Sequence, residues 1–144
     1  MTREVILQLL TAFTGSLGFA LLFGIRTRHL LYASFGGFVS WSVYLAVHGL
    51  SSNEFLACLA ASIVAMIYSE IMARVRKCPA TVFIIIAIIP LVPGGSLYYA
   101  MSNAVMGNTQ MAEFYAHQTL IWVLAIAGGI SFVTAIHELR SKKQ

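Results

Sequence analysis

A proline- and glycine-rich segment, Pro90-Leu91-Val92-Pro93-Gly94-Gly95-Ser96, interrupts a long apolar run from Thr81 to Met106. The run is long enough for a membrane-spanning helix, which needs about 20 apolar residues. Two prolines and two adjacent glycines should break that helix near the middle of the bilayer. An unwound backbone cannot face lipid, because its free N–H and C=O groups are too costly there. The segment must therefore be buried in protein or line a cavity that binds something, which points to a transporter.

The composition agrees with a polytopic membrane protein. Of the 144 residues, 59% are hydrophobic and only 10% are charged, and such values are extreme for a soluble domain. Five spans would use roughly 100 residues and leave little for a soluble domain. We therefore expect an all-α membrane protein in which residues 1–144 form one domain of five transmembrane helices, the fourth broken at Pro90–Ser96.

The predicted spans follow from the apolar runs and from the polar residues between them. The first four are about Val5–Ile25, Leu30–His48, Glu54–Ala73 and Thr81–Met106. The second half of the fourth span begins at about Ser96. A polar loop is predicted over Gly107–Gln118, and the fifth span over about Thr119–Ile136.

Small residues predict where helices pack closely. Membrane helices approach each other at small side chains, which recur every four residues in the third span at Ala57, Ala61, Ala65 and Ser69. Gly15, Ser16 and Gly18 in the first span, and Ala125 and Gly129 in the fifth, offer similar contacts. Trp41 is placed in the middle of the second span, so we expect it to pack inside the bundle rather than at an interface.

Basic residues predict the orientation of the chain in the membrane. In the five-span arrangement, eight of the nine Lys and Arg residues fall on one side and only Arg3 on the other. Cytoplasmic segments carry an excess of Lys and Arg, so we expect the N-terminus outside and the C-terminus in the cytoplasm of a bacterial inner membrane. The eight are Arg26, Arg28, Arg74, Arg76, Lys77, Arg140, Lys142 and Lys143. The formal charge of +4 is thus explained by topology and does not indicate a nucleic-acid partner.

The broken span contains the candidate substrate site. Its second half presents a helix N-terminus near the midplane, with free N–H groups and a partial positive charge. Pro90 and Pro93 would fix the break, while Gly94, Gly95 and Ser96 would offer N–H groups to a substrate carboxylate, as broken helices of secondary transporters do. A proline kink buried by neighbouring helices, without any ligand, is the alternative.

Three further residues are candidates for the same pathway. Tyr99 could line the cavity with its hydroxyl, although ordinary packing is equally available to it. Asn103 needs a hydrogen-bond partner within the span, either another helix or the substrate. Glu70 is the acidic residue inside an apolar span and a candidate for coupling, but Arg74 lies four residues on and offers a simple ion pair.

Enzymatic chemistry is not indicated. The sequence lacks the Gly-rich phosphate loop of an ATPase, and no histidine is predicted near Ser96 to activate it. His29, His48, His117 and His137 fall at span ends or in loops, are expected to be solvated, and do not have metal-ligand spacing. We therefore expect no catalytic residues, no metal and no cofactor.

Several segments resemble a known family of transporters. The run Cys78-Pro79-Ala80-Thr81-Val82-Phe83, followed by Pro90-Leu91-Val92-Pro93-Gly94, resembles the signature of the threonine/serine exporter family. Gly18-Phe19-Ala20 with Phe23, then Arg26–Leu30 and Gly36, is similar to the first hairpin of that family. The resemblance covers about Leu7–Ile136.

The resemblance implies a function and a partner. Some members are single chains of about ten spans, whereas others split the transporter between two proteins, and this chain resembles the small subunit. That implies export of threonine and serine, or of dicarboxylates such as succinate, together with a larger five-span subunit of the same family. A homo-oligomer remains open. The rival hypothesis is a scaffold or assembly subunit that transports nothing itself.

Overall fold

The fold is a bundle of six α-helices, known from a computed structural model that describes the backbone of residues 2–141 and the side chains of residues 3–139. Lys142 and Lys143 of the predicted basic side lie outside the described residues. The helices are α1 (Thr2–Leu22), α2 (Thr27–Ser51), α3 (Glu54–Arg76), α4 (Thr81–Ile88), α5 (Gly94–Val105) and α6 (Thr109–Ser141), with a 3₁₀ turn at Ile89–Leu91.

The predicted architecture is confirmed. Helices α1, α2, α3 and α6 are each long and apolar enough to cross a membrane, and α4 with α5 forms a pair bent by 56°. If that pair is one span, the number of spans is five. The bend falls at the predicted Pro90–Ser96 segment, so the chain is an all-α polytopic membrane protein in which the predicted break separates α4 from α5.

The prediction of a long polar loop over Gly107–Gln118 is wrong. Helix α6 begins at Thr109 and runs for 33 residues. Gly107 adopts a left-handed conformation with φ of 76°, which ends α5, and Asn108 then starts the next helix by accepting a hydrogen bond from the Met111 N–H at 3.4 Å. The polar side chains of this segment therefore lie on a helix, and the turn is confined to residues 106–108.

Helix α2 is at the centre of the bundle, because α1, α3 and α4 all pack against it. Helix α6 packs on α3 and, through its first half, on α5. The predicted small face of α3 is confirmed, since Ala57, Ala61, Ala65 and Ser69 are all buried. Trp41 also lies inside the bundle, stacked on Tyr44 with ring centroids 4.8 Å apart.

Two contacts between serine and glycine mark close helix approaches. Ser16 of α1 lies directly against Gly37 of α2, and Ser62 of α3 lies against Gly129 of α6, so that neither glycine has room for a methyl group. Close backbone approach of this kind is how membrane helices associate. The expectation for Gly15 and Gly18 is wrong, because both are exposed and a Cβ there would meet nothing within 4 Å.

The solvated position predicted for His29 is also wrong. The residue is only 5% exposed, and its ring lies edge-on to Phe83, with centroids 6.1 Å apart. The Arg28 Nε donates to His29 Nε2 at 3.1 Å. Helix α2 begins at Thr27 rather than Leu30, and this earlier start turns His29 towards α4 instead of the solvent.

We predict that Gly37→Ala destabilises the protein whereas Gly18→Ala does not. The added Cβ at Gly37 would overlap Ser16, including its Cβ at 2.8 Å, and overpacking of this kind costs about 1–3 kcal/mol. Thermal unfolding of the two purified variants in detergent measures the difference. Equal melting temperatures would contradict the α1–α2 contact described here.

Candidate functional site

The break between α4 and α5 is a compact succession of turns. The Ile89 N–H donates to the Ile86 carbonyl, and the Val92 N–H donates to the Ile89 carbonyl at 3.2 Å. Pro93 has φ of −77° and ψ of 55°, the values of an inverse γ-turn, in which the Gly94 N–H donates to the Val92 carbonyl at 2.8 Å. The chain thus changes direction within a few residues and begins α5 at once.

The start of α5 leaves two backbone N–H groups without partners. The Gly94 N–H is used by the γ-turn, and the Leu97 N–H donates to the Pro93 carbonyl at 3.0 Å. Within the described residues, the N–H groups of Gly95 and Ser96 have no acceptor. Of the three N–H groups predicted to be available, two therefore remain to meet an anion at the positive end of the helix.

Space is open around these glycines. Neither Gly94 nor Gly95 has a positive φ, and a Cβ at either position would meet nothing within 4 Å. Neither backbone conformation nor packing inside this chain therefore requires glycine here. A small residue at this point instead leaves room for close approach by something outside the chain.

A neighbouring helix satisfies the backbone just before the break. Pro90 cannot donate to the Ile86 carbonyl, four residues earlier, and the Ile89 N–H takes that place. The buried Ser40 of α2 donates to the Ala87 carbonyl at 2.6 Å, and hydroxyl groups commonly satisfy carbonyls beside proline in membrane helices. Pro90 itself lies next to Gly37, near the middle of α2. The break therefore begins level with the middle of α2.

One side of the break borders a cleft of about 230 Å³. It is lined by Pro90 and by residues of α1 and α2, namely Gln8, Thr11, Ala12 and Trp41. The Trp41 Nε1 atom is buried and has no hydrogen-bond partner among the described residues.

The other side carries a chain of hydrogen-bonded side chains, which we call the polar chain: Ser96, Gln118, Glu54 and Trp122. The Ser96 hydroxyl donates to Gln118 Oε1 at 3.3 Å. Gln118 Nε2 in turn donates to Glu54 Oε2 at 3.3 Å. The Trp122 indole donates to the same oxygen at 3.1 Å. The start of α5 is thereby connected through α6 to the first residue of α3.

Glu54 also lines an open cavity at the end of the bundle. Its volume is about 520 Å³, and the residues around it are Ser51, Ser52, Asn53, Glu54, Phe55 and Ile121. Four of the six carry polar side chains, and these four lie in the α2–α3 turn or directly beside it. The polar chain therefore leads from this cavity to the break.

The remaining predicted residues lie apart from the polar chain. Tyr99 is 51% exposed and packs against Tyr115, with centroids 5.3 Å apart. Asn103 donates to the Tyr99 carbonyl of its own helix at 2.8 Å. Glu70 is half-buried, and no ion pair joins it to Arg74 in the part of the chain that is described, since Arg74 contacts His137 at 2.7 Å.

Sequence reasoning missed three members of the polar chain. Gln118 was placed at the end of the predicted loop, Glu54 was placed at the start of the third span without a role, and Trp122 was not singled out. The available signal was a carboxylate at the first residue of a predicted span, one turn of helix away from the apolar positions of Ala57 and Cys58. Among the described residues, no group of three or more His, Cys, Asp or Glu side chains is arranged to hold a metal ion.

Comparison with known families identifies the chain. A family model described as Threonine/Serine exporter, ThrE, matches residues 8–136. The chain belongs to the threonine/serine exporter family. The resemblance drawn from the two Pro-containing segments is thus confirmed, over nearly the same range. No curated protein and no solved structure matches the chain. Membership makes this protein a multi-pass membrane component of threonine and serine export, in a family of transporters rather than enzymes.

We predict that Ser40→Ala destabilises the break of this exporter more than Ser42→Ala does. Ser40 bonds across to the Ala87 carbonyl, whereas Ser42 donates only to the Phe38 carbonyl of its own helix. Interhelical hydrogen bonds in membranes contribute roughly 0.6 kcal/mol on average and up to about 1.7. Thermal unfolding in detergent should therefore show a lower melting temperature for Ser40→Ala alone. An equal loss in both variants would contradict the interhelical role.

Proposed function

We propose that this protein is the small subunit of a two-component secondary exporter and binds the carboxylate of its substrate at the break between α4 and α5. The observation that supports this most is the pair of unpartnered N–H groups at Gly95 and Ser96. They lie at the start of a helix, beside open space and next to a chain of polar side chains. A substrate carboxylate would complete their hydrogen bonding and complement the helix dipole.

Each predicted site residue has a place in this proposal. Pro90 and Pro93 shape the break, Gly94 and Gly95 admit the substrate, and Ser96 adds a hydroxyl donor. Tyr99 and Asn103 follow along α5 and would line the path of the substrate as it leaves. Glu70 is the candidate for proton coupling, since Arg74 does not neutralise it directly. The substrate is threonine or serine, with dicarboxylates such as succinate as the alternative class.

A larger five-span subunit of the same family would supply the second half of the transporter. Helix α5 packs mainly on α6 and leaves apolar side chains exposed, including Leu97, Tyr98, Met101 and Val105. Two five-span halves of opposite orientation are a known route to alternating access. We propose a bacterial inner membrane with the N-terminus outside and the C-terminus in the cytoplasm, which agrees with the distribution of Lys and Arg.

The first test is efflux of preloaded threonine, serine and succinate from cells that lack their own exporters. The chain is expressed alone and together with the larger subunit encoded nearest to it. We expect efflux only when both are present. Efflux with this chain alone would contradict the two-component proposal and indicate a homo-oligomer. No efflux in either case, with both proteins verified in the membrane, would contradict the export proposal.

We predict that Gly95→Leu strongly lowers export without lowering thermal stability. The larger side chain has room within this chain but would cover the free N–H groups of Gly95 and Ser96, and losing a charge-assisted hydrogen bond costs about 1.5–3 kcal/mol, or roughly tenfold to a hundredfold in binding. The same efflux assay measures this effect. Gly18→Leu, at an exposed glycine of α1, is the matched control. Unchanged efflux in a correctly inserted Gly95→Leu variant would show that the substrate does not bind at the break.

The exposed apolar side of α5 also fits a scaffold subunit that transports nothing. The two functions differ in the surroundings of Ser96 in the assembled complex. In a variant with Cys78→Ser and Ser96→Cys, a transporter leaves the new thiol open to aqueous reagents, whereas a scaffold buries it against the partner. Cys58 can stay, because it is buried.

A further inference from the structure

Glu54 is a partly buried carboxylate whose partners are all neutral. Its Oε2 accepts hydrogen bonds from the Trp122 indole and the Gln118 amide. Within the described side chains, no Lys, Arg or His forms an ion pair with it. A carboxylate removed from bulk water is normally matched by a cation or by several donors. Glu54 therefore has no cationic partner among the described side chains, although such a partner would stabilise a partly buried carboxylate.

The other carboxylate oxygen is available to a ligand. Glu54 Oε1 accepts no hydrogen bond within the described residues, and it is absent from the buried atoms that lack partners. Glu54 lines the cavity of about 520 Å³ together with the polar residues Ser51, Ser52 and Asn53. A small cation entering that cavity would meet Oε1 directly.

Gln118 places a neutral dipole between a donor and an acceptor. Its Oε1 accepts from the Ser96 hydroxyl, and its Nε2 donates to Glu54. An α-amino acid also carries an acceptor next to a donor, but both groups are charged: the carboxylate corresponds to the amide oxygen of Gln118 and the ammonium to its amide nitrogen. Charged partners form the stronger hydrogen bonds, so a zwitterion is well suited to take the place of the Gln118 amide.

We propose that Glu54 binds the ammonium group of an amino-acid substrate whose carboxylate lies at the start of α5. This inference rests on the proposed function and adds the residue that selects the substrate class. The ammonium contacts Glu54 Oε1, the carboxylate contacts the Ser96 hydroxyl and the free N–H groups, and Gln118 moves aside. A dicarboxylate is rejected because its second carboxylate would lie against Glu54 with the same charge.

The test compares three substrates in the active system, with the larger subunit present where export requires it. The substrates are L-serine, 3-hydroxypropionate, which is serine without its amino group, and succinate. We expect wild-type efflux of serine to exceed that of the other two by roughly tenfold or more, the usual worth of a charge-assisted contact. Glu54→Gln should lower serine efflux by about tenfold and leave 3-hydroxypropionate efflux within about twofold of wild type.

Two further variants separate recognition from folding. Glu54→Asp keeps the charge on a shorter side chain and should retain the preference for serine at a reduced rate. Glu113→Gln removes an exposed carboxylate of α6 outside the polar chain and should behave as wild type. The melting temperature of Glu54→Gln should stay close to that of wild type, because the amide oxygen can still accept from Trp122.

The outcomes distinguish this inference from the proposed function. Serine efflux that is insensitive to Glu54→Gln but sensitive to Gly95→Leu overturns the role of Glu54 alone. An equal loss for serine and 3-hydroxypropionate in Glu54→Gln does the same, because it indicates a structural or coupling role. Wild-type preference for succinate also overturns ammonium recognition. A wild-type system that exports none of the three substrates overturns both proposals.

Discussion

The structure depends on how a broken helix satisfies its backbone away from water. Pro90 removes one N–H from the ladder of the fourth span, and Pro93 prevents the helix from simply continuing. Inside a membrane each orphaned group would be costly, so the carbonyls and N–H groups near the break must find partners. A 3₁₀ turn, an inverse γ-turn and the Ser40 hydroxyl provide most of them. The N–H groups of Gly95 and Ser96 are the exception, because they have no partner among the described residues. This is why we propose that they bind a substrate.

The packing of the other helices follows from this requirement. Ser40 reaches the Ala87 carbonyl because α2 and α4 lie close together, and that approach needs small residues. Gly36 provides one of them, since a Cβ there would meet the Ala87 Cβ at 3.0 Å. The Ser16–Gly37 contact brings α1 against α2 one residue further along, next to Pro90. Small residues in the middle of the bundle thus allow a neighbouring helix to reach the broken backbone.

The polar chain links the break to the end of the bundle through three different helices. Glu54 opens α3, where a carboxylate is favoured by the helix dipole, and Asn53 caps the same helix by accepting from the Leu56 N–H at 3.2 Å. Gln118 and Trp122 lie one turn apart on α6 and meet Glu54 together. The site proposed here spans a helix start and a carboxylate, and it would suit a small zwitterion better than a purely anionic substrate, which agrees with membership of the threonine/serine exporter family.

The sequence predicted the membrane-spanning helices, the position of the break and the small face of α3. Each of these is a local property: apolar length, proline and glycine chemistry, and helical periodicity. The tertiary structure alone decided which side chains meet. The composition of the polar segment before Gln118 predicts a loop. In the structure, Gly107 ends α5 and Asn108 starts α6, so the segment forms the first part of that helix. Only that longer helix brings Gln118 beside both Ser96 and Glu54, which are separated by 42 positions in the chain. Such contacts depend on how helices pack in space, and no local pattern encodes them.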